Sequence, residues 1–276
     1  MPSLSPRIAL WSTRVAMVAL AVALALALEG RTALTVVWWV CAAGVLVALM
    51  VPGPVALTAC RMLVPLTVPV GVLLVIDGDT APASIAALSL AAVTTALLLT
   101  GELGEAFVQA AAYGHERRFP LRVPVAVMPA VLVSWTVWAG LVVAATVAVD
   151  AERWVLAAAL GAPAALIAWP LFARFHQLSR RWLVLVPAGV VVHDPMVLAE
   201  TLLVMRPNVS GARLAPADTE AADLTGPASG FAIEVTVKEM VLVHFAGTRR
   251  DTKGRAIHAS SFLVAPTRPG KALQLL

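Results

Sequence analysis

The chain has 276 residues, 60% of them hydrophobic and only 13% charged, with a net charge of +4, a mean hydropathy of +0.89 and a pI of about 9.7. A water-soluble globule carries about a quarter charged residues, so the composition excludes one and defines a membrane protein. Nine basic and eight acidic residues fall at or before Arg174 and eleven and eight beyond it; neither part is basic enough, nor carries a motif, for nucleic acid.

The first apolar stretch, Ile8 to Leu28, follows Arg7 and contains Arg14. Its charge order also fits a signal peptide cleaved near Ala25-Leu26-Ala27, but its length suits an uncleaved first span with Arg14 snorkelling toward the interface. Ala33 to Val51 is a second span, with Trp38 and Trp39 toward its outer end, and Pro52-Gly53-Pro54 breaks it. The third, Val55 to Ile76, holds Arg61 and two prolines four apart, Pro65 and Pro69. Prolines one turn apart remove backbone donors, which predicts either a plain kink with Arg61 near the cytoplasmic surface or a broken helix with Arg61 facing an anionic group in a cavity. Asp77-Gly78-Asp79 reads as a solvated external turn.

A fourth span, Ala83 to Thr100, is rich in small residues suited to close packing. Leu103, Phe107 and Ala110 or Ala111 recur at helical spacing, predicting a short amphipathic helix over Glu102 to Tyr113, at the surface or extending the fourth span. His115-Glu116-Arg117-Arg118, then Pro120 and Arg122, form a basic patch, either a topogenic cluster or a contact for lipid phosphates. Pro124 to Val149 is a fifth span in which Trp135 and Trp138 share a packing face, and Trp154 to Phe172 a sixth. The expected fold is therefore a membrane α-helical bundle of about six transmembrane helices in three hairpins, over residues 1–174. Arginines cluster on one side: Arg7, Arg14, Arg61, Arg117, Arg118, Arg122, Arg174, Arg180 and Arg181 against Arg31 and Arg153. By the positive-inside rule the nine-to-two bias puts both termini in the cytoplasm, in the plasma (inner) membrane.

From Arg181 the period changes to that of strands. Trp182 to Val186, the turn Pro187-Ala188-Gly189 and Val190 to His193 predict a hairpin. Further strands are expected at Glu200 to Met205, Val209 to Leu214, Phe231 to Lys238, Met240 to Phe245 and His258 to Val264. Ala215 to Gly230 reads as a loop with one helical turn near Asp218 to Asp223, and Pro269 to Leu276 as a short closing helix. Residues 181–276 are thus a small β-rich roll or barrel on the cytoplasmic side. In element order this part resembles the pleckstrin-homology-like (PH-like) domains attached to bacterial membrane helices, which implies a binding or scaffolding module. The middle loop Gly-His-Glu-Arg-Arg-Phe-Pro-Leu-Arg and the stretch Arg-Arg-Trp-Leu-Val-Leu-Val-Pro-Ala-Gly-Val-Val-Val-His-Asp-Pro make the whole chain similar to uncharacterised multi-pass membrane proteins of high-GC actinobacteria.

Chemistry-bearing residues are sparse. His193-Asp194 points its two side chains to opposite faces of a strand and reads as a turn before Pro195. The five histidines lack metal spacing, Cys41 and Cys60 read as small buried thiols, and no nucleotide or cofactor fingerprint occurs. No catalytic, cofactor or metal residue is assigned. The residues expected to meet anions, lipid or a partner are Arg61, Arg117, Arg118, Arg122, Arg180, Arg181, Arg249, Arg250, Lys253 and Arg255. The leading reading is a non-enzymatic membrane anchor, assembly or regulatory protein whose β domain binds a membrane-protein partner, a second copy or anionic lipid head groups. A small transporter or channel subunit using the kinked third span is the alternative. A lipid-processing enzyme built on Glu102, Glu105 and His115 is a third.

Overall fold

The computed structural model describes residues 5–77, 82–247 and 254–276. The chain divides into two compact units, one of 1–107 with 130–176 and one of 108–129 with 177–276. The second unit therefore takes in a segment that the sequence reading gives to the membrane half.

The helical unit contains α1 (Pro6–Ala27), α2 (Thr32–Met50), α3 (Pro54–Leu63), α4 (Thr67–Ile76), α5 (Pro82–Leu98), most of α6 (Gly101–Gln109), α7 (Met128–Asp150) and α8 (Trp154–Ser179). Among the described residues, five helical segments are long and apolar enough to cross a membrane, and six if α5 and α6, bent by 61°, count as one. Ser5 caps α1 by accepting from the Ile8 amide (3.3 Å) and Pro6 opens its first turn, which leaves no needed donor missing. The prolines of the third span act as expected. Helix α3 gives way to a 3-10 turn over Val64–Leu66 before α4 resumes, and the Thr67 hydroxyl donates to Val64 O (2.7 Å) inside the break. Close packing of small residues is seen where α4 meets α5: a Cβ added to Gly71 would lie 3.0 Å from Leu88 Cα.

Polar groups tie helix ends across this unit. The Arg14 Nε and Nη2 donate to Leu49 O in the last turn of α2 (3.1 and 2.8 Å), so this guanidinium is fixed on a neighbouring helix, not simply snorkelling. Asp150, at the end of α7, accepts from the Ala33 and Leu34 amides (2.7 and 3.3 Å), supplying the cap that the N-cap residue of α2, Arg31, does not. Arg31 instead pairs with Asp77 (2.6 Å). Trp135 and Trp138 form the expected packing face, and each indole N–H has an acceptor, Met62 O at 3.0 Å and Ala164 O at 3.2 Å. Cys41 and Cys60 are free thiols.

Helix α6 starts on Thr100, whose hydroxyl accepts from the Leu103 amide (3.4 Å). It ends at Gln109, four residues before the expected Tyr113, and its Leu103, Phe107 and Val108 are fully buried. Gly114 then turns the chain with a φ of +54°, a conformation glycine adopts freely.

Among the described residues, the β unit has two four-stranded sheets. The first runs β1 (Arg117–Pro120), β2 (Trp182–Val186), β3 (Gly189–His193), β4 (Leu202–Met205), all antiparallel. The second has the order β5 (Val209–Leu214), β7 (Ile233–Phe245), β8 (Arg255–Val264), β6 (Ala222–Asp223). Isolated bridges Leu121↔Pro266 and Leu198↔Phe245 link the sheets on two sides. Their inner faces share one core, including Phe119, Leu183, Val192, Val235 and Phe262, on which Ala272 of the closing helix α9 (Pro269–Leu275) packs.

Three expectations change here. The basic loop 117–120 is a strand, because Phe119 enters the core and Gln109 binds its edge through the Arg118 amide (2.9 Å). The two strands expected over 231–245 are one, β7, with a register shift between Thr236 and Val241, where the Asn208 side-chain amide pairs with both backbone groups of Glu239 (3.0 and 2.7 Å). The helical turn expected near Asp218 to Asp223 is absent. Ala222 and Asp223 pair parallel with Phe262 and Leu263, and Asp223 caps the Thr225 amide (2.7 Å).

Candidate functional site

Among the described residues no group of three or more His, Cys, Asp or Glu is disposed to hold a metal ion. The ten arginines and lysines expected to form contacts separate into four situations.

Arg181 is not available to any ligand. Its side chain and that of Asp194 are both 0% exposed, and Nε and Nη2 meet the two carboxylate oxygens at 2.8 and 2.6 Å. Its remaining donors reach Arg122 O (2.6 Å) and Thr225 O (3.3 Å), while Asp194 Oδ1 also accepts from the Met196 amide (3.1 Å). A guanidinium out of water needs this density of partners, so Arg181 is the pin of the β unit and not a surface contact. Arg122 is likewise engaged, donating to Ser229 O (2.9 Å) and Phe231 O (3.1 Å). In the helical unit Arg61 Nε donates to Leu98 O (3.0 Å) at the last turn of α5, a favourable position for a cation. It is not among the residues that line the apolar cavity between α1, α2, α4 and α7.

Arg118 takes part in a stack on the outer face of the first sheet. Its guanidinium pairs with Glu116 (2.8 Å) and lies 5.5 Å from the Trp182 ring centroid; Trp182 stacks on His193 at 5.2 Å. The His193 Nδ1 is 2.9 Å from the Thr201 hydroxyl. Burial, then the neighbouring Arg180 charge, hold the His193 pKa below its ordinary value, with Asp194 opposing and Arg118 adding to the depression. Arg117, Arg180 and Arg255 are exposed. Arg249, Arg250 and Lys253 lie outside the described residues.

The register puts Arg118, Val184, Val191 and Leu203 in one row across the four strands, and Pro120, Trp182 and His193 in the next. Met205 shares that face, because side chains two apart on a strand point the same way. An antiparallel sheet with one face in a core normally turns a polar face outward. This one turns out Trp182, Val191, Leu203 and Met205 beside Arg118 and His193, with Leu203 and Met205 each 53% exposed and Val184 buried. The strands β2 to β4 that carry these side chains are predicted from the sequence, but runs such as Trp182-Leu183-Val184-Leu185-Val186 are apolar on both faces, so nothing in them tells which face stays open. The strand β1 is not predicted, because Phe119, Pro120 and Leu121 are buried in succession and show no alternation.

No protein-family model matches the chain, and neither a curated protein nor a solved structure matches it significantly.

Proposed function

We propose that this protein is a non-enzymatic membrane anchor of assembly or regulatory type, whose β unit is a binding module held at the cytoplasmic face of the plasma membrane. The supporting observation is the outer face of the first sheet, where Leu203 and Met205 are half exposed although the opposite face already forms the core. Exposed apolar surface of this kind on a folded unit marks an interaction site. The arginine bias of the sequence supports the cytoplasmic side for both termini. A roll carrying such a face is compatible with a PH-like scaffolding role, with a membrane-protein partner, a second copy or anionic lipid as the bound species.

The test is photo-crosslinking in intact cells of the actinobacterial type that the sequence resembles. A benzophenone amino acid is introduced at Leu203 or Met205 in the full chain, with Val155 of α8 as the comparison position. One adduct of defined mass from 203 and 205 but not from 155 is the expected result. Adducts from 155 alone would overturn the proposal.

A further inference from the structure

The helical unit holds a half-open apolar cavity of about 40 Å³. Its walls include Leu24 of α1 and Leu28 just past its end, Trp38 and Cys41 of α2, and Thr67 and Thr146 from α4 and α7. Trp38 is 7% exposed, and its indole N–H has no hydrogen-bond partner among the described residues. The contrast with the other two interior indoles is direct, since Trp135 and Trp138 both donate to backbone carbonyls. In hydrocarbon no water is at hand to satisfy such a donor, and leaving it unmade is costly.

The two hydroxyls in the wall do not compete for an acceptor. Thr67 donates to Val64 O (2.7 Å) and Thr146 to Val143 O (2.8 Å), both within their own helical segments. Their oxygens keep acceptor lone pairs, yet neither is bonded to the Trp38 N–H. An acceptor that enters to meet it must be uncharged, because the surroundings are apolar. Depth narrows the choice further. Helix α2 begins at Thr32, so Trp38 sits about 9 Å along it at 1.5 Å per residue. The helix has 19 residues, about 28 Å, close to the thickness of the hydrocarbon layer. Leu28, just past the end of α1, and Leu34, in the first turn of α2, line the part of the cavity nearer the helix ends, and a phospholipid ester carbonyl at the edge of the hydrocarbon layer would have to descend about 9 Å from the start of α2 to meet Trp38. A carbonyl on a molecule dissolved wholly in the hydrocarbon reaches it.

We propose that this cavity is a binding site for the carbonyl of an uncharged lipid-soluble molecule, a quinone or long-chain ester, which accepts a hydrogen bond from the Trp38 indole. The small volume takes the carbonyl end, and the hydrocarbon remainder lies along the open side. This assignment is independent of what the β unit binds.

The test follows the indole N–H resonances of the full-length protein, labelled with ¹⁵N-tryptophan, in nanodiscs. The chain has eight tryptophans, and W38F identifies the Trp38 signal by its loss. Nanodiscs of ether-linked phospholipid contain no carbonyl. Adding decylubiquinone or methyl decanoate to them should move the Trp38 N–H downfield, while undecane should not, with Trp135 and Trp138 unmoved as internal references. A shift on changing to ester-linked phospholipid without additive would make the bilayer lipid itself the ligand, overturning the depth argument and the proposal. A Trp38 signal already at a hydrogen-bonded position in ether-linked discs and unmoved by either additive would mean that water or the protein satisfies it, also overturning the proposal. W38F serves only to assign the signal, and unshifted resonances of the remaining indoles show that it folds, because the lost buried volume lowers its heat resistance whatever the N–H meets.

Discussion

Replacing Asp194 with alanine removes the carboxylate that holds Arg181 and leaves a guanidinium with only two carbonyl partners, Arg122 O and Thr225 O, in a site with no exposure. Three contacts vanish: those to Nε at 2.8 Å, Nη2 at 2.6 Å and the Met196 amide at 3.1 Å. Breaking one side of a buried pair costs about 3–5 kcal/mol, because the orphaned charge cannot reach water. That is on the order of a hundredfold to several thousandfold in the folded-to-unfolded ratio, and a large share of a typical domain's total stability of about 5–15 kcal/mol. Hydrogen exchange of the full chain in nanodiscs reads it directly: amides of β2, β3 and β8 should lose protection in D194A, while those of α1 and α5 keep theirs. The double variant R181M/D194L, which buries no charge, should recover most of the loss, and R181K should not, since an ammonium cannot form the two-pronged contact. Protection in D194A equal to the parent would refute the assignment of the pair as the pin of this unit.

Gly189→Ala should destabilise the β unit by at least about 1–3 kcal/mol, the range for overpacking, because the added Cβ meets the Val204 carbonyl of the paired strand; the unfolding midpoint by hydrogen exchange checks it. Gly71→Leu, with Leu88 Cα 3.0 Å from the position of the first new carbon, should force α4 and α5 apart and lower the thermal midpoint in detergent by a comparable free energy. Asp150→Ala should cost about 1 kcal/mol as a lost cap and raise exchange at Ala33 and Leu34, the two amides it accepts from. His193 resists protonation in the folded state through burial and the charges of Arg180 and Arg118, against Asp194. The unfolded chain binds that proton more readily, so His193 subtracts stability as pH falls through about 6.5 and down past its lower folded value. H193Q should flatten that part of the stability profile, and an unchanged profile would show that the imidazole does not contribute.

The helical segments were legible because their solvent dictates them: runs such as Ala33 to Val51 have no other use, and Pro65 interrupts its helix, although Pro163 and Pro170 are accommodated within α8. The strands from Trp182 to Val192 and Val209 to Leu214 were legible by length and composition. The site residues were not. Arg181 and Arg180 are indistinguishable as letters, yet one has no exposed side-chain surface and the other is open. The difference lies in Asp194, thirteen residues later, which reads correctly as a turn: its carbonyl accepts from Val197 and Leu198. Nothing local announces that its carboxylate faces inward. Likewise Trp38 carries the sequence signature of an interfacial aromatic, and only the geometry separates it from Trp135 and Trp138 by what their N–H groups meet.

The strand β1 is translated long before its neighbour β2, with two long apolar helices, α7 and α8, between them in the chain. A ribosome must therefore release Arg117 to Pro120 and thread both helices before that ribbon finds its mate. The same separation governs any attempt to excise the C-terminal hundred residues for work in water. Such a fragment would present the bare flank of β2, with Leu183 and Leu185 behind it, to every other copy in the tube. A soluble version would have to carry 117–122 grafted ahead of Arg181, or it would stick to itself.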